Sequence, residues 1–191
     1  LGFVSIIIGS RFAIKKGTTR AFLQVSKLEV LASFIPFLLV LIFIPVGTTS
    51  YVGITNIGLI MMLAIYGFYI GLTSISTNLI FPMLGDISDY ELLKSNKFIP
   101  GTIASMFSFV DKLISSFAGV ILTLIMLYSG FKDGSDAVVP QNAFVNPRFY
   151  YSILFGIFII PCIGHIISVI AIKNYPLDEQ TMDKIAKDVA I

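Results

Sequence analysis

Apolar residues fall into four long blocks along this chain, separated by shorter polar connections. The blocks run from about Leu28 to Val46, Ile54 to Leu84, Gly101 to Tyr128 and Phe149 to Ile172. Each approaches or exceeds the ~20 residues that carry an α-helix across the hydrocarbon of a bilayer. The second block is long enough to span with tilt or to project past the membrane. Pro36 and Pro45 lie inside the first block and Pro161 inside the fourth. Spanning helices tolerate such prolines because neighbouring groups satisfy the freed carbonyls. The pattern therefore predicts an all-α, polytopic membrane protein. A shorter apolar run, LGFVSIIIG, opens the chain at Leu1. It is too short to span, has no basic leader and no small-residue cleavage site, and so is not a signal peptide. The simplest expectation is the end of a helix in a longer chain. After Pro176, the residues Met182, Ile185, Ala186 and Val189 recur at helical spacing, with Asp178 as a reasonable N-cap. A short amphipathic helix is expected there, packed on the protein or on the membrane surface.

Composition supports this picture. The chain is 56% hydrophobic and only 13% charged, where a soluble domain carries about 25% charge. Its mean hydropathy is +0.92. A net charge of +2 is too small to imply a nucleic-acid partner. Cys162 is the single cysteine and His165 the single histidine, which excludes an internal disulfide, a cysteine-rich metal site and a histidine cluster.

Position makes the basic residues informative. Segment 10–27 holds Arg11, Lys15, Lys16, Arg20 and Lys27, segment 85–99 holds Lys94 and Lys97, and the tail holds Lys173, Lys184 and Lys187. The alternate connections hold only Lys132 and Arg148. Basic residues concentrate on the cytoplasmic side. The C-terminus is therefore expected in the cytoplasm. Tyr51, Tyr90, Tyr128, Tyr150, Tyr151 and Tyr175 fall near the block ends, as an aromatic belt would.

The remaining basic residue, Lys112, lies beside Asp111 deep inside the third block. From a helix start near Pro100 it is roughly 18 Å along the axis, close to the middle of a ~30 Å hydrocarbon slab. A charge at that depth costs ~2.5–3.5 kcal/mol on insertion scales. Ser105, Ser108, Lys112, Ser115, Gly119 and Thr123 follow one another at steps of three or four, which makes one polar stripe. Asp111 is ~100° from Lys112 around the axis, so the two are not expected to face each other. Lys112, Asp111, Ser108 and Ser115 are thus candidates for a polar cavity. The competing account is a structural pair bonded to neighbouring helices.

In the second block, Gly67, Gly71, Ser74 and Asn78 share a face. The GxxxG pair is read as helix packing. Asn78 is the candidate substrate contact, since its amide both donates and accepts toward a polyol. The polar segment PMLGDISDYELLKSNK is read as a membrane-boundary loop. Its Asp86, Asp89, Tyr90 and Lys94 suggest an ion-paired gate rather than an acid–base pair. Cys162 and His165 share a face but lack an orienting group and an oxyanion site, so no catalytic residue is assigned.

PMLGDISDY, KSNK and GTIASMFSFVDKLISSFAG resemble the corresponding stretch of the glycoside–pentoside–hexuronide:cation symporters, the melibiose-carrier group of the major facilitator superfamily. Pro82, Asp86, Asp89, Tyr90, Lys94, Ser108, Phe109, Lys112 and Leu113 carry the match. RFAIKKGTTR and YPLDEQTMDKIAKDV are similar to that family's loop between helices eight and nine and to its C-terminal end. The chain departs from the pattern where Leu92 takes an acidic position, and at Asn96–Gly101, where an arginine and a glutamate are replaced.

The resemblance implies the C-terminal part of a twelve-helix transporter of the major-facilitator type: the end of helix eight, helices nine to twelve, and a cytoplasmic tail over 173–191. It implies transport of a sugar or glycoside with sodium or a proton, no cofactor, and the lipid bilayer and the N-terminal half of the same carrier as partners. Lys112 inherits a role near the cation and sugar sites, and Asp86 and Asp89 a cytoplasmic gating role. The alternatives are a related carrier of a lipid or organic acid, or a membrane scaffold that transports nothing.

Overall fold

The computed structural model describes residues 7, 11, 17–47, 57–130, 145–177 and 179–189. It is helical, with no strand among the described residues. The long elements are α1 (Thr18–Phe43), α2 (Ile57–Ser95) and α3 (Pro100–Ser129). A fourth helical run follows as α4 (Pro147–Leu154), a π-helical turn (Phe155–Ile159) and α5 (Ile160–Lys173). The tail helix α6 spans Glu179–Val189. Among the described residues, four helices are long and apolar enough to cross a membrane: Thr18–Phe43, Ile57–Ser95, Pro100–Ser129 and the run Pro147–Lys173. Apart from Ile7, the proposed end of helix eight lies outside the described residues, as do residues 48–56 between the first two blocks and the Asp178 cap.

Local chemistry sets several boundaries. Asn96 adopts φ 54°, a left-handed conformation that asparagine tolerates, and α2 ends just before it. Gly130 takes φ 86° and its amide donates to the Leu127 carbonyl at 3.1 Å, closing α3. Asn146 caps α4 by accepting from the Arg148 amide at 3.0 Å, with Pro147 in the first turn.

Two boundaries differ from the sequence reading. The basic segment 10–27 is already helical from Thr18, and PMLGDISDYELLKS is the last third of α2 rather than a loop. Polar residues end a hydropathy block, but they do not end a helix. Pro82 is accommodated within α2.

The chain divides into two compact units, and each long helical run contributes to both. One comprises Leu1–Glu29, Ile70–Leu113 and His165–Ile191. Its buried apolar residues include Ala21, Val25, Leu72, Leu79, Leu177 and Ile185. The Thr19 hydroxyl donates to the Leu177 carbonyl at 2.7 Å, which fixes the tail to the start of α1.

The other unit comprises Val30–Tyr69 and Ile114–Gly164. Its core is Val40, Tyr150, Leu154 and Phe158. Tyr66 meets Phe158 edge-on at 6.1 Å. The Tyr150 hydroxyl donates to the Ile44 carbonyl at 2.6 Å, meeting the requirement that a buried phenol find a partner.

Candidate functional site

The Lys112 region is carried by α3, whose single buried residue is Ser129. Ala104, Ser105, Ser108, Phe109 and Lys112 line one open groove of about 530 Å³. The stripe spacing therefore places two hydroxyls and an ammonium along one face. Ser105 donates to the Gly101 carbonyl at 2.7 Å and Thr123 to the Gly119 carbonyl at 3.0 Å, as hydroxyls in apolar helices do. Ser115 is exposed one turn beyond Lys112.

The Lys112 ammonium stands 3.5 Å from the Asp111 carboxylate, with the side chains 83% and 49% exposed. The sequence reading kept these two apart. The 100° between successive residues separates their Cα–Cβ vectors, but the four-carbon lysine stem bends back across that angle.

On α2, Asn78 is exposed and its amide donates to the Ser74 carbonyl at 2.7 Å. Gly71 is buried, but a Cβ added at Gly67 would meet nothing within 4 Å. The expected close approach at the GxxxG pair is therefore not made at Gly67.

Asp86, Asp89 and Tyr90 are partly buried near the end of α2. The Lys94 ammonium lies over the Tyr90 ring, 5.5 Å from its centroid. Among the described residues no ion pair joins Asp86 or Asp89 to Lys94 or Lys97. The ion-paired gate is replaced by a cation–π contact and by the proximity of Asp86 to Tyr175. Burial first, and then the Asp86 charge, push the Tyr175 phenol above its ordinary 10.0.

A second polar constellation is buried. The Glu29 side chain is 1% exposed. One carboxylate oxygen accepts from the Ser76 hydroxyl at 2.6 Å, and the other lies 3.1 Å from Nδ1 of His165. Ser26, Glu29 and Ser33 follow at i, i+3 and i+7 along α1, and all three are buried. Three helices thus converge on one carboxylate. Among the described residues, no group of three or more His, Cys, Asp or Glu could hold a metal ion.

A family model described as MFS/sugar transport protein matches residues 1–179. The chain belongs to this family. No curated protein and no solved structure matches it. The family is one of transporters, and the four apolar helices make this member an integral membrane protein.

In an MFS sugar-transport protein, ionisable groups within spanning helices are the first place to look for function. The sequence reading found one such group, Asp111–Lys112, and missed the other. Glu29 falls at the very start of the first apolar block, where a charge reads as a boundary residue, and His165 reads only against Cys162. In the structure Cys162 turns instead to the Val30 carbonyl, a weak contact at 3.9 Å. The signal that was available is the Ser26–Glu29–Ser33 spacing, which marks a polar stripe on α1 as Lys112 and its serines mark one on α3.

Proposed function

We propose that this MFS sugar-transport protein moves a sugar or glycoside together with a cation, sodium or a proton, as part of a longer carrier. The observation that carries this reading is Lys112 on the serine-lined face of α3, with the Asp111 carboxylate beside it. Two charges some 18 Å along a spanning helix are costly against lipid. They are favourable against a water-filled cavity, where Lys112 can donate to hydroxyls and Asp111 can accept from them. The wall opposite this face is the N-terminal half of the same carrier, since carriers of this type bind solute between two repeats near the midplane. Asn78 contributes a further polar contact. Asp86, Asp89, Tyr90 and Lys94 gate the cytoplasmic end, and the C-terminus is cytoplasmic, in keeping with ten basic residues on that side against two on the other.

The test is uptake by cells expressing the carrier, with a panel of labelled glycosides under imposed sodium or proton gradients. Gradient-dependent accumulation of at least one glycoside, abolished by the matching ionophore, is the expected result. Uptake of organic acids or lipids alone would replace the substrate assignment. No uptake of any solute, with the protein present in the membrane, would favour a scaffold.

A further inference from the structure

Glu29 needs an explanation. A carboxylate 1% exposed inside a spanning helix is among the least favourable groups to bury alone. It is not alone: His165 and Ser76 give it one donor per oxygen. The imidazole differs from its partner in one respect, since its side chain is 17% exposed. One member of the cluster is sealed and another has an edge that meets the surroundings.

We propose that Glu29, Ser76 and His165 form a proton-holding site inside the membrane domain, loaded and unloaded through the exposed edge of His165. In the loaded state the imidazolium donates Nδ1–H to one oxygen of Glu29, and Ser76 donates Oγ–H to the other. The cluster is then neutral overall. Shifting the Nδ1 proton onto Glu29 leaves the same proton count and the same net charge. Unloading removes the Nε2 proton to water at the exposed edge and leaves Nδ1–H on the carboxylate. Both hydrogen bonds survive, but the cluster now carries one negative charge. An uncompensated charge in a low-dielectric interior is expensive. The unloaded state therefore favours any arrangement of α1, α2 and α5 that admits water to the site. Proton occupancy and helix packing become linked, as two ligands of one equilibrium are.

The other ionisable groups on these helices are placed differently. On α1, Arg20 and Lys27 are exposed. On α2, Asp86 lies ten residues from Ser76, ~15 Å along the axis, with Asp89, Glu91 and Lys94 further still. On α5, Cys162 faces Val30, and Lys173 is ~12 Å from His165. Asp111 and Lys112 pair with each other on α3.

The site can be tested independently of the solute, although its coupling to uptake rests on the transporter reading. The carrier, reconstituted in nanodiscs with 15N-labelled histidine, is titrated between about pH 5 and 8 by NMR. The His165 signal is assigned by its loss in His165→Gln. It is expected to follow a one-proton curve whose midpoint moves by one pH unit or more in Glu29→Gln, a variant that keeps a hydrogen-bonding side chain beside both neighbours. A signal that does not move with pH, or that moves identically in Glu29→Gln, overturns the proposal.

In uptake assays matched for membrane abundance, the wild-type pH profile should contain a limb of about tenfold per pH unit. That limb should flatten to less than about twofold in Glu29→Gln and in His165→Gln. A normal histidine titration without uptake of any solute would count against the transporter reading and leave the site standing. Solute uptake with an unchanged pH profile in both variants would do the reverse.

Discussion

Replacing His165 with leucine strips Glu29 of its imidazole neighbour without opening a large cavity. Glu29 remains buried, with Ser76 still donating to one oxygen at 2.6 Å. Removing one partner of a buried ion pair typically costs about 3–5 kcal/mol. The protein has an escape, because the carboxyl can take up a proton. A free glutamate titrates near 4.3, so protonating one at pH 7 costs about 2.7 units, or roughly 3.7 kcal/mol. That figure caps the penalty, and the retained Ser76 bond lowers it, leaving about 3 kcal/mol at pH 7.

In Glu29→Leu/His165→Leu no charge remains to be stranded, and most of the loss should be recovered. The assay is thermal unfolding of the purified carrier in detergent at pH 7. His165→Leu should melt roughly 6–12 °C below wild type at pH 7. A double variant as unstable as the single, or a single variant indistinguishable from wild type, would show that the pair is not the buried unit described here.

Two further outcomes follow from the same structure. Tyr150→Phe keeps the ring in the Val40–Leu154–Phe158 core but removes the bond to the Ile44 carbonyl, and should destabilise by about 1–1.5 kcal/mol in the same melting assay. Tyr175 should stay neutral past the pH at which an ordinary tyrosine ionises, so stability should fall as pH rises above 10.0; in Asp86→Asn, ultraviolet titration should find the Tyr175 transition moved back toward that value.

Much of this fold was legible because bilayer thickness imposes a length on apolar blocks. The four helices apolar enough to span among the described residues match the four blocks, with ends displaced where the helix runs on into polar residues. At Asp86–Ser95 hydropathy falls while nothing in the backbone chemistry stops the helix until Asn96. The face shared by Ser105, Ser108 and Lys112 was also legible, because three- and four-residue steps fix a side of α3 whatever surrounds it. The Glu29–Ser76–His165 cluster depends on three helices meeting, and residues so far apart in the chain share no local pattern. Half of its signal was present in the Ser26–Glu29–Ser33 spacing. The other half, a lone histidine in the last span, acquires meaning only when its neighbour is known. The Lys94–Tyr90 contact was missed because charge invites pairing with charge, while an aromatic ring one turn away was nearer.

The central claim is that Lys112 faces a solute cavity in a sugar carrier rather than lipid. It is tested most directly by gradient-driven uptake of a labelled glycoside in proteoliposomes, comparing the wild-type carrier with Lys112→Ala at equal reconstituted amounts. Loss of uptake by at least about tenfold, equivalent to about 1.4 kcal/mol or more, with folding and insertion unchanged, is the predicted result. Wild-type uptake by Lys112→Ala would contradict the account.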